Sequence, residues 1–86
     1  MSERTKIALA SLAMDLKRVA LGLHRGSNKM SERFLKEAVE RRKEIDKKDV
    51  DLYIRNILKD LDQNKDAEDL LMYSILLENY VRKKYL

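Results

Sequence analysis

Every second residue from Asp60 to Glu68 carries a side-chain oxygen: Asp60, Asp62, Asn64, Asp66 and Glu68. A twelve-residue calcium loop uses the same alternation, because a hard cation takes about six to eight oxygen ligands. The positions that make such a loop work are filled differently here. Its sixth place is Lys65 where glycine makes the sharp turn, and its twelfth is Leu71 where a glutamate binds through both oxygens. An acidic connection whose aspartates cap the adjoining helices accounts for these residues, and no calcium site is expected.

Other chemistry is thinner still. There is no cysteine and one histidine, His24, which excludes the usual zinc sites. Glu40 and Glu44 could supply carboxylates to a di-iron bundle, but His24 does not follow a glutamate at the required spacing. It stands next to Arg25 at the end of a helical segment, where a capping role suits it. Ser2, Ser11, Ser27, Ser31 and Ser74 lack the glycine-rich turn that activates a serine, and read as caps or surface positions. No enzyme activity, catalytic residue, metal or cofactor is expected.

Charge carries more information. Residues 1 to 49 hold 13 lysines and arginines against 8 acids, whereas residues 50 to 86 hold 6 against 7. Lys17, Arg18 and Arg25, with Lys29, Arg33, Arg41, Arg42 and Lys43 and the following Lys47 and Lys48, could form one positive surface that tracks phosphates. Acids interleave with these bases, and a solvated face laced with ion pairs is the commoner meaning of that alternation. A helix-turn-helix at Arg25 to Asn28 would put Asn28, Lys29, Ser31, Glu32 and Arg33 at the start of a recognition helix. The preceding segment is about six turns long, so a bundle hairpin explains the turn better.

The elements that would position these residues read as helices throughout. Hydrophobic residues make up 44% of the 86 and charged residues 40%, with no proline and two glycines. That balance argues against disorder and against a sheet. Heavy charge without cysteine is a habit of heat-adapted proteins that many mesophilic helical proteins share. From Ser2, a plausible N-cap, to His24, one stripe holds Leu9, Leu12, Ala13, Leu16, Val19, Ala20 and Leu23; Arg4, Ser11, Asp15, Arg18, Gly22 and Arg25 line the opposite side. Ile7, Ala10, Met14 and Leu21 form a second, weaker strip. Gly26 fits the left-handed position after a helix, with Ser27 or Asn28 capping the next.

That next helix runs to about Ile45, with Met30, Phe34, Leu35, Ala38, Val39, Arg42 and Ile45 inward. Asp46 or Asp49 can cap a third over Val50 to Leu61. The fourth, capped by Asp66, is apolar at Leu70, Leu71, Met72, Tyr73, Ile75, Leu76, Leu77, Tyr80, Val81 and Tyr85. A helix apolar on most of its circumference is expected at the centre of a bundle.

The expected fold is therefore all-α, one domain over residues 1–86, a four-helix up-and-down bundle with the last helix central. A three-helix bundle with a long first helix kinked at Gly26 is the alternative. The apolar stretch near the N-terminus is interrupted by Ser11 and runs on into an amphipathic pattern, so a cytoplasmic protein without a membrane partner is expected. Met14, Leu21, Met72, Tyr73 and Tyr85 are hard to place inside one small core. They point to a non-enzymatic protein that binds another protein or self-associates. The alternative is a DNA- or RNA-binding module using the basic residues of the first two helices.

Overall fold

A computed structural model describes residues 2 to 61, 63 and 66 to 85, without the side chain of Tyr85. The described residues form α1 (Glu3–His24), α2 (Asn28–Arg42), a single 3-10 turn (Lys47–Asp49), α3 (Leu52–Asp60) and α4 (Ala67–Tyr85). Each boundary has a local cause. Ser2 is extended and its hydroxyl accepts from the Thr5 N–H, which starts α1. Gly26 takes a φ of 76°, and the Ser27 N–H returns to the Gly22 carbonyl, which ends it. A turn therefore separates α1 from α2, and the continuous kinked helix is excluded. Ser27 occupies the N-cap of α2 without a side-chain capping bond.

Two boundaries differ from the periodicity. α2 closes at Arg42, because Lys43, Glu44 and Ile45 bond back three residues instead of four. Ile45 remains buried, so its apolar signal was about burial and not helix. Asp46 then caps the 3-10 turn through the Lys48 N–H, and α3 starts only at Leu52. The Asp66 carboxylate accepts from the Glu68 N–H at the head of α4.

The helices alternate in direction. Asp15 meets Arg41 and Val19 meets Ser31 across α1 and α2; Asp60 meets Tyr73 and Asp51 meets Tyr80 across α3 and α4. Leu70, early in α4, shares a small cavity with Val19 and Leu23, late in α1, while Val81 lies beside Ala10 and Ala13. This is a four-helix up-and-down bundle.

The last helix is not at its centre. α1 packs against both α2 and α4 and buries Ala8, Leu9, Leu12, Ala13, Leu16, Val19 and Ala20, whereas the hydrophobic side chains α4 buries fully are Leu70, Leu77 and Tyr80. The other side of α4 carries Leu71, Met72, Ile75 and Leu76 into solvent. An apolar circumference here reflects one face in the core and another left open.

The side of α1 that looked polar is also corrected. Asp15 and Gly22 are buried where α1 meets α2, Asp15 against Arg41 and Gly22 against Ser31, and Thr5 is buried at the start of the helix. Ser31 and Ser74 are likewise buried: Ser31 Oγ donates to the carbonyls of Ser27 and Val19, and Ser74 Oγ to that of Leu71. At the lower end of α1, Thr5 Oγ1 donates to Asp49 Oδ2 at 3.0 Å, and the Ser2 N–H donates to the same oxygen at 3.0 Å. This clasp pins the 3-10 turn to the start of the chain's first helix.

Candidate functional site

Two surfaces depart from a balanced, solvated exterior. The first is apolar. On α1, Ile7, Ala10, Met14, Lys17 and Leu21 recur at spacings of three and four, a heptad rhythm, on the side turned away from the core. Ile7 is 57% exposed, Met14 56% and Leu21 40%. On α4, Leu71, Ile75, Glu78 and Arg82 repeat the rhythm, flanked by Met72 and Leu76. Ile75 is 50% exposed and Met72 49%. The strips are neighbours, since Ala10, Met14 and Lys17 share one groove of about 330 Å³ with Glu78, Val81 and Arg82. Isolated exposed leucines need no explanation, but an apolar strip on each of two adjacent helices does.

Of the residues expected at a protein interface, Met14, Leu21 and Met72 are exposed on these strips. Tyr73 is half-buried and its hydroxyl donates to Asp60 Oδ2 at 2.6 Å, which holds it against α3. Tyr85 belongs to α4, but its side chain lies outside the described residues. Ile7 is exposed on the strip that its spacing shares with Met14 and Leu21, whereas Leu71, Ile75 and Leu76 are exposed residues outside the expected interface.

The second surface is basic. The end of α2, the 3-10 turn and α3 enclose an open groove of about 600 Å³ lined by Arg42, Lys43, Lys47, Arg55 and Lys59, with Asn56 and Gln63. Ile45, Leu52 and Leu58 complete the lining. No acid is among the described lining residues. The outer face of α2 is different: Arg33, Lys36 and Arg41 there alternate with Glu37, Glu40 and Glu44.

The basic residues expected to form one patch are dispersed. Arg41 Nε bonds the buried Asp15 Oδ2 at 3.2 Å, and Arg18 sits 3.7 Å from the other oxygen of that carboxylate. Burial pushes the Asp15 carboxyl above the usual range, and the Arg41 hydrogen bond and charge work against that rise. Arg18 and Arg33 both lie over the Phe34 ring, at 5.2 and 5.8 Å from its centroid. Arg33 also pairs with Glu37 at 3.7 Å. Lys17, Arg25 and Lys29 are exposed on the α1 surface and around the turn. Of the expected set, Arg42, Lys43 and Lys47 line the basic groove; Arg55 and Lys59 of α3 complete its charge.

The Asp49 carboxylate, held by the Ser2 N–H and then by Thr5, lies below its usual range. Of the calcium-like spacing, Asp62, Asn64 and Lys65 lie outside the described residues. Among the described residues no three acidic or imidazole side chains come together as metal ligands, and no helix is long and apolar enough to cross a membrane. Compared with known proteins, the chain matches no family model, no curated sequence and no solved structure.

Proposed function

We propose that this chain is a self-associating helical module, and that the α1–α4 face is where a second copy docks. The observation that carries the reading is the pair of exposed heptad strips on adjacent antiparallel helices, with Met14 and Ile75 at least half exposed. Two such faces laid together make a four-helix seam, the arrangement to which heptad spacing is suited.

Charge favours a second copy as the occupant. Lys17 on α1 and Glu78 on α4 line the same groove. A twofold axis parallel to the helices sets α1 of one copy against α4 of the other, antiparallel, and brings Lys17 opposite Glu78 of the second copy. The surface is complementary to itself, as an isologous contact requires. Its size is adequate: two helices about 28 Å long and ~10 Å wide offer about 550 Å² per copy. Both copies together bury about 1,100 Å², which clears the ~1,000 Å² expected of a specific contact and stays at the weak end of the range.

Sedimentation velocity over a concentration series reaching ~1 mM tests this reading. A monomer–dimer equilibrium is expected, abolished in Met14→Glu/Ile75→Glu while the helical circular-dichroism signal is retained. A monomer at every concentration, or a dimer indifferent to both substitutions, rejects it.

A further inference from the structure

We infer that the groove between the end of α2, the 3-10 turn and α3 binds the phosphate backbone of single-stranded nucleic acid. This site is separate from the α1–α4 face and does not rest on self-association. Its charge is one-sided: five cations and no described acid line it, against three of each in the cleft along α2 from Arg33 to Glu44. Lys47, Arg55 and Lys59 have no described acid within ion-pair distance, whereas Lys43 is 3.1 Å from Glu40. Uncompensated cations in a concave site raise the local potential and attract phosphates.

Two of the cations are already oriented. Arg42 Nη1 donates to the Leu58 carbonyl at 2.9 Å and Arg55 Nε to the Val50 carbonyl at 3.2 Å. Each guanidinium is thus held by a bond to backbone, and the terminal nitrogens of Arg55 remain to meet a phosphate in the planar fork that suits it. Lys47 and Lys59 add point charges on either wall.

A single strand fits better than a duplex. The wall of the groove is the flank of α3, nine residues long, and α2 reaches it with its C-terminal end, not with the N-terminal residues by which a recognition helix reads a duplex major groove. The lining is also part apolar, with Leu52 66% exposed beside the cations. An unpaired strand can place its sugar–phosphate edge on the lysines and arginines and rest a base on such a surface.

The test is fluorescence anisotropy of labelled oligothymidylate and oligouridylate, about twelve nucleotides long, at ~50 and ~200 mM salt. Three or four phosphate contacts predict a loss of about 20- to 50-fold in affinity between the two conditions. Lys47→Gln/Lys59→Gln is expected to weaken binding at least tenfold at the lower salt and to reduce the logarithmic salt slope by about 1.4. Lys29→Gln/Lys36→Gln removes the same charge elsewhere and is expected to stay within twofold. Neither pair touches the bonds that hold Arg42 and Arg55, so both variants keep the fold, which circular dichroism verifies. Absence of binding at ~50 mM salt, equal losses from the two variants, tighter binding of duplex than of single strand, or displacement of the oligonucleotide by tripolyphosphate at equal phosphate concentration each overturns the inference.

Discussion

The backbone of Gly22 lies directly against the side chain of Ser31: a Cβ at position 22 would stand 2.5 Å from Ser31 Oγ and 3.2 Å from its backbone nitrogen. Glycine inside a helix ordinarily costs ~1 kcal/mol relative to alanine, so Gly22→Ala would stabilise an isolated α1. In the bundle the order reverses. The substitution is expected to destabilise the protein by about 1–3 kcal/mol through overpacking, lowering Tm by about 4–8 °C per kcal/mol. Thermal melts of Gly22→Ala with and without Ser31→Ala check this, since the second change removes the nearest atom and should recover part of the loss.

Gly26 answers to a different constraint. Nothing lies within 4 Å of a Cβ there, but φ is +76°. Gly26→Ala should cost about 1–2 kcal/mol from backbone strain alone, and Gly26→Asn less, because asparagine tolerates the left-handed region. Equal melting temperatures for the two variants would contradict that origin.

Asp15 makes stability fall as pH rises. Its carboxyl is raised above 3.8 in the folded protein, chiefly by burial. The stability it contributes is fully present below the ordinary carboxylate value and is lost as pH climbs through the higher folded one. Urea titrations across that window should show the decline in the parent and not in Asp15→Asn, which cannot ionise. Arg41→Gln removes an opposing charge and hydrogen bond, so it should widen the window.

Asp49 acts on the other side of that value. Its carboxyl is lowered from 3.8 by the Ser2 N–H and the Thr5 hydroxyl. The clasp therefore contributes stability that is present above the ordinary carboxylate value and disappears as pH falls through the lower folded one. Thr5→Val, which keeps the shape of a buried side chain and deletes its hydrogen bonds, is expected to cost about 1–2 kcal/mol near neutral pH. It should also move the acid unfolding of the clasp upward in pH, readable by circular dichroism.

Local signals in the sequence carried the helices well. Ser2 and Asp66 as caps, Gly26 as a left-handed stop and the stripe from Leu9 to Leu23 all depend on neighbours within a few residues. Relationships between helices were harder to read. Seven apolar residues between Leu70 and Leu77 suggest a surrounded helix, but periodicity cannot tell a core face from an open one when both are apolar. Asp15 and Gly22 look solvent-facing until α2 closes over them. Counting cations by helix missed the basic groove for the same reason. Its charge comes from the end of one helix, a turn whose position depends on the Asp49 clasp, and a third helix that looked neutral on average.

That α1 is the central helix bears on how the chain is made. α1 leaves the ribosome before its partners, and the α1–α2 hairpin, joined by a short turn, can close as soon as residue 42 has emerged. The flank of α1 that α4 covers, where Ala13 lies beside Val81, must wait for α4 to be synthesised. During that interval the nascent chain displays an apolar surface that α4 later hides, so the time spent translating residues 43 to 85 sets how long that surface is open to contact with other chains.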